Sequence, residues 1–272
     1  MPVTEDFNPL TDPVPDEIPL TNAPLIRVVA QIRFPMIASI ESREFIAPFQ
    51  EALRKEYPIL RQEQSHNLQL GEEGVQTATS RIWRFTDAAE NWRVSLAPQF
   101  IAIEAKTYSS RGEFLSKLKS VLQHVEEHLD PGTVDRNGIR YIDRVEGEAP
   151  ESFRPLIRSE VAGVLAAPFE DLTMQTLTQN TFKFPDHEGQ LMARWGTMPP
   201  NSTPDPSAIE PIDRISWLLD LDAFSDQRRL WNTSQLLQET EWFAERIYAF
   251  FRWSVTDEFI RSFGGQIGEG EE

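Results

Sequence analysis

The chain contains no cysteine. That excludes a disulfide framework, a cysteine-ligated zinc or iron–sulfur site, and a thiol nucleophile. Histidine is also scarce, with four in 272 residues. No apolar run approaches the roughly 20 residues that a membrane-spanning helix needs. The N-terminus shows no basic stretch followed by an apolar one of the kind that directs secretion. These absences point to a cytoplasmic protein with no membrane partner. Basic residues are few: 26 Lys and Arg stand against 43 Asp and Glu, a formal charge of −17. This balance disfavours nucleic acid as a partner, because backbone binding draws its affinity from counterions displaced by Lys and Arg. The chain carries no G-x-S-x-G elbow, no G-x-x-x-x-G-K-[ST] loop and no G-x-G-x-x-G turn. No catalytic residue, metal or cofactor is assigned.

What is present is proline at the margins and alternation between them. Residues 1–24 hold Pro2, Pro9, Pro13, Pro15, Pro19 and Pro24, five acids, and no Lys or Arg. That composition predicts a flexible acidic tail. Phe7, Leu10, Ile18 and Leu20 are spaced as anchors should it dock as an extended strap. Residues 264–272, rich in Gly and Glu, predict a second flexible tail. Residues 198–211, with five prolines, predict a surface loop.

Period-two patterning predicts strands over 25–34, 68–70, 75–85, 92–96, 100–108, 136–145, 174–184, 190–195 and 215–221. Helical spacing predicts helices over 42–57, 110–129, 153–165 and 232–263. Two halves, 25–132 and 133–263, therefore read as tandem β-α-β(3-4)-α repeats, a duplication. The predicted fold is α+β: one antiparallel sheet with helices on one face. Its topology is similar to the duplicated TATA-binding-protein fold, a likeness that does not itself carry function.

Several short stretches add a resemblance. They are Pro24-Leu25 with Val28 and Gln31-Ile32-Arg33-Phe34, then Trp83-Arg84-Phe85, and Trp92–Leu96 running on to Tyr108 and Phe114. The others are Arg136-Asn137-Gly138-Ile139-Arg140-Tyr141-Ile142-Asp143 and Val255-Thr256-Asp257. Together, over roughly residues 24–263, they resemble a sporadically distributed family of uncharacterised bacterial and archaeal proteins. Asn137 stands where the family pattern has an apolar residue. The resemblance carries over no catalytic residues, and it implies a mobile or defence-associated locus.

Three features bear on function. His124-Val125-Glu126-Glu127-His128 matches H-x-x-E-H, in which two histidines one helical turn apart bind zinc and the glutamate activates water. At 100° per residue these three side chains fall away from the apolar face, which reads as a solvated helix surface; a zinc hydrolase is the third-ranked function. The histidines His66 and His187 sit in polar, turn-like sequence. The second feature is arginine on strands. Period two places Arg136, Arg140 and Arg144 on one face, with Arg33 on the first strand and Arg81, Trp83 and Phe85 sharing a face of another. Guanidinium forks beside aromatic planes suit phosphate, carboxylate or bases. The alternative is internal pairing with Glu104, Asp143, Asp220 or Asp222. Third, Trp242, Trp253 and Ile260 fall together on a second flank of the last predicted helix, as a contact with the other half, the strap, or a partner chain. The leading reading is a non-enzymatic binding or regulatory protein with a protein partner or as a homodimer. The second reading is a binder of an anionic ligand or nucleic acid through the arginine face.

Overall fold

The computed structural model describes residues 6–71 and 74–267, the side chains of 65–71 and 74–79 excepted. In chain order the elements are β1 (Leu25–Arg33), α1 (Arg43–Leu53), β2 (Ile59–Gly71), β3 (Gly74–Thr86), β4 (Trp92–Ala97), β5 (Phe100–Ala105), α2 (Arg111–His128), β6 (Thr133–Val134) and β7 (Arg136–Gly147). There follow α3 (Ser159–Ala162), β8 (Thr178–Lys183), β9 (Gln190–Met198), β10 (Ile215–Ser225), β11 (Arg229–Leu230), α4 (Thr233–Ser254) and α5 (Asp257–Ser262). The fold is α+β, with a nine-stranded antiparallel sheet in the order β2-β3-β4-β5-β1-β7-β10-β9-β8. No helix among the described residues is long and apolar enough to cross a membrane.

The chain divides into two compact units, with boundaries unlike the two sequential halves expected. A two-segment unit holds Arg27–Ile139 and Phe224–Phe243. A three-segment unit holds the described residues up to Ile26, Arg140–Ala223, and those from Ala244 onward. The boundaries fall inside β1, β7, β10 and α4, so long elements contribute to both.

In the two-segment unit, Ser42 and Ser110 cap α1 and α2 by accepting from the Phe45 and Glu113 amides, at 3.4 and 3.2 Å. Their apolar stripes are Ile46, Phe49 and Leu53 on α1, and Phe114, Leu118, Val121, Leu122 and Val125 on α2. These stripes cover one sheet face. Phe49 meets Phe85 edge-on at 5.6 Å, and Phe114 meets Trp92 at 5.6 Å. In register on that face lie Phe85, Val94, Ile103, Ala30 and Ala105. The opposite face is a ladder of ion pairs: Arg61–Glu90 at 2.8 Å, Arg84–Glu63 at 3.0 Å and Arg93–Glu104 at 2.5 Å. β6 and β11 form a separate short antiparallel pair in this unit. Asn137 is fully buried here. Its amide nitrogen donates to the Leu236 carbonyl (3.2 Å) and Glu239 (2.7 Å), and its oxygen accepts from the Thr240 hydroxyl (3.2 Å). A buried amide satisfied on both ends ties β7 to α4.

In the three-segment unit, Ile142, Leu218, Met198 and Ile209 form a buried cluster with Ile26 and Ala208 packed against it. The proline-rich stretch expected as a surface loop therefore supplies core: Ile209 is 2% exposed. Residues 153–165, expected as one helix, are broken into a 3-10 turn (Pro150–Leu156), α3 and a second 3-10 turn (Gly163–Ala166). Pro155 and the positive φ of Gly163 (+53°) stop a continuous helix. Residues 232–263, also expected as one helix, are split. Val255 pairs with Ile157, the Arg158 amide donates to the Ser254 carbonyl, and the Thr256 amide donates to the Leu156 carbonyl. Thr256 then caps α5 through the Phe259 amide.

Residues 6–24, expected as a flexible tail, are held as a strap on the second half of α4. Arg246 donates to the Asp12 carbonyl at 2.8 Å. The Tyr248 hydroxyl donates to the Asp16 carbonyl (3.0 Å) and accepts from the Ile18 amide (2.8 Å). Leu20 and Ile260 press on Gly265 so closely that a Cβ there would lie 2.7 and 2.6 Å from them. Composition registers low hydrophobicity and misses these main-chain hydrogen bonds.

Candidate functional site

The predicted arginine face is not open. Trp83 and Phe85 lie on the helix-covered side of the sheet, and the Trp83 indole donates to the Ile40 carbonyl at 2.7 Å. Arg81, at the rim of that face, donates to the Glu41 carbonyl and lies 5.3 Å from the Trp83 ring centroid. In the three-segment unit Arg140 grips Asp220 in a two-pronged fork (2.6 and 2.9 Å) and reaches Asp205 at 2.9 Å. Arg194 donates to the same Asp220 at 2.9 Å. Asp205 also accepts from the Ser207 hydroxyl at 2.6 Å. Its carboxyl is held down at about 2: Ser207, Arg140 and Arg194 outweigh the effect of its partial burial. Arg144 donates to the Glu210 carbonyl at 2.7 Å. Internal pairing, the alternative to an open face, is what Arg140 shows with Asp220.

Two arginines named from sequence do meet at a cavity. In the two-segment unit, the end of β1 and the start of β7 flank a cleft of about 320 Å³. Arg33, Arg136 and Arg228 line it together with Asp135, Asp226, Gln99, Phe34 and Met36. The Asp135 amide donates to the Arg33 carbonyl at 2.8 Å, which fixes the two strand ends side by side. Below them Phe34 is buried, edge-on to Trp231 at 6.4 Å. Arg228 pairs with Asp135 at 2.6 Å. Arg136 lies 4.1 Å over the Phe224 ring and 3.6 Å from Asp226. Arg33 is exposed, and no hydrogen-bond or ion-pair partner of its guanidinium is found among the described residues. Three cations face two anions, so the cleft is locally positive on a chain of net charge −17.

Sequence reading missed Arg228, Asp135 and Asp226. Arg228 lies in the connection between β10 and β11, where no periodicity marks it.

The tryptophan flank does not form as drawn. Trp253 packs on Phe250 at 5.2 Å within the three-segment unit, and Ile260 is 1% exposed on α5, beyond the helix break. The helical spacing that joined Ile260 to Trp242 and Trp253 is lost at Val255 and Thr256. Exposed apolar side chains occur elsewhere: Phe169, Leu172 and Met174 are 53, 76 and 83% exposed in the segment between α3 and β8. His66 lies in strand β2, not in a turn, and its side chain is outside the described residues. Among known proteins, no family model and no curated sequence matches this chain.

Proposed function

We propose that this protein acts by binding rather than by catalysis, and that the cleft at Arg33, Arg136 and Arg228 takes a small oxyanion, a carboxylate or a phosphate. The observation that carries the reading is the Arg33 guanidinium, without a partner among the described residues, at a concave site whose other two arginines are already braced by Asp135 and Asp226. Bracing pre-orders the forks, so a ligand meets donors already in place. A cleft of this size lies at the small end of ligand sites and suits a single anionic group better than a nucleic-acid strand. The test is calorimetric titration of phosphate and citrate at low ionic strength, comparing wild type with Arg33→Ala. Binding in the wild type that falls at least about tenfold in the variant, the cost of losing a charged hydrogen-bond partner, supports the reading. Absence of binding, or equal binding in both, removes it.

A second reading keeps a protein partner. It rests on the exposed Phe169, Leu172 and Met174, since apolar groups clustered in water usually mark contact surfaces. The tandem repeat of the two sequence halves and an origin in a mobile or defence-associated locus belong to this proposal as well, supported by the order of elements and by the resemblance above.

A further inference from the structure

We propose that the last turn of α2 carries a transition-metal site, with His124, Glu127 and His128 as its protein ligands and its remaining coordination positions open to solvent. The sequence places the two histidines four residues apart, one turn of helix, so their rings emerge on the same side. The structure stacks those rings at 6.1 Å with 18° between their planes. Glu127 swings between them: its Oε2 lies 3.9 Å from Nδ1 of His124 and 3.8 Å from Nε2 of His128. Donor atoms of all three residues fall within 4.8 Å of one another.

These separations are too long for hydrogen bonds and close to what an ion requires. Bonds of about 2.0–2.1 Å in a tetrahedral zinc site put neighbouring donors roughly 3.4 Å apart. Small side-chain rotations would close the difference. Although helical spacing sets these side chains off the apolar face, both rings are largely sheltered, with 29 and 22% of each side chain exposed. Nδ1 of His124 is itself shut off from solvent and has no hydrogen-bond partner among the described residues. A buried polar atom without a partner is costly unless something supplies one. A cation held between Nδ1 and the carboxylate would.

The donor set selects the class of ion. Two imidazoles and a carboxylate suit Zn²⁺, Co²⁺, Ni²⁺ or Cu²⁺, whereas Ca²⁺ and Mg²⁺ prefer oxygen alone. Three protein ligands leave at least one position for water or for a donor from elsewhere. Helix geometry suits the arrangement. Leu129 caps α2, Asp130 turns the chain with positive φ, and Leu118, Val121, Leu122 and Val125 hold the apolar stripe of the helix buried. The turn is therefore anchored before any ion arrives.

The experiment uses the full chain, freed of any histidine tag and stripped with chelator, titrated with ZnCl₂ in a calorimeter. A parallel titration with CoCl₂ is followed by visible absorption. One equivalent of Zn²⁺ per chain is expected, with a Co²⁺ spectrum showing nitrogen ligation. His124→Gln and His128→Gln should each weaken binding by about tenfold or more, and Glu127→Gln should alter the Co²⁺ bands. His187→Gln, in a loop between β8 and β9, is the control and should change nothing. Circular dichroism confirms that each variant is folded. A wild-type chain that binds neither ion, or a folded His124→Gln/His128→Gln double variant that binds as wild type does, overturns the proposal.

Discussion

Replacing Asp143 by Asn should stabilise the protein above neutral pH and leave it almost unchanged in acid. Asp143 sits on β7, and its side chain shares the strand face of Ile139 and Val145, both buried. Burial first, and then the charge of Asp220, push its carboxyl from an ordinary value near 3.8 up to about 7. In the unfolded chain the group ionises near 3.8; folded, it keeps its proton to about 7. Between those values the folded state binds the extra proton, so stability falls as pH rises. The contribution is fully present below about pH 4 and is lost as pH passes through about 7. A tenfold change in proton affinity is worth about 1.4 kcal/mol, which sets a ceiling of roughly 4 kcal/mol for the whole displacement. Asn keeps the shape without the charge. Urea denaturation of wild type and Asp143→Asn at about pH 3.5 and about pH 9 measures the difference directly. The variant should gain little at the lower pH and up to a few kcal/mol at the higher. A difference that is the same at both, or a variant that is less stable in alkali, refutes the reasoning.

Two further outcomes follow from the same unit. Asp220→Ala leaves the guanidiniums of Arg140 and Arg194 without their shared carboxylate. Asp220 is 3% exposed and the two arginines 19 and 15%, so denaturation should show a loss of about 3–5 kcal/mol, the range for breaking a buried charge pair from one side. Tyr248→Phe removes the hydroxyl that bonds both the Asp16 carbonyl and the Ile18 amide. It should cost about 1 kcal/mol and speed proteolytic cleavage within residues 6–24, read by mass spectrometry; an unchanged cleavage rate would show that the strap is held by its apolar contacts instead.

Much of the scaffold was legible because burial writes itself into periodicity. Strand β1 alternates Val28, Ala30 and Ile32 against Arg27, Val29 and Gln31, and all three inward residues are fully buried. Ser42 and Ser110 announce their helices by capping chemistry that is local to the sequence. The failures share one cause, which is long-range pairing. The helical spacing of 232–263 is real on each side of the break, but Val255 is drawn into an extended bridge by Ile157, about a hundred residues away. No window of sequence contains that partner. The strap depends on the same kind of pairing: the composition of 1–24 suggests disorder and its spaced Phe7, Leu10, Ile18 and Leu20 a docked strand, and the choice rests on Arg246 and Tyr248, which supply donors and an acceptor for its backbone from more than 200 residues away.

The arginines show the same limit at the level of the site. Period two placed Arg140 and Arg33 on strand faces with equal authority, and nothing local distinguishes them. What separates them is the loop at 199–213: it lays Asp205 beside Arg140 and seats Ile209 on Ile142, so that face becomes core and its charge is neutralised. Arg33 stands at a strand end, where β1 leaves the sheet and the ladder no longer supplies a facing carboxylate. A guanidinium at the edge of a sheet stays in water unless a loop carries an acid to it, and the two acids that reach this cleft, Asp135 and Asp226, are taken by Arg228 and Arg136. Arg33→Glu should therefore discriminate between the two roles an exposed arginine can play. A bystander would leave both stability and phosphate binding unaltered, whereas the cleft described here should lose the anion while folding stability, measured in the same preparation, stays within about 0.5 kcal/mol of wild type.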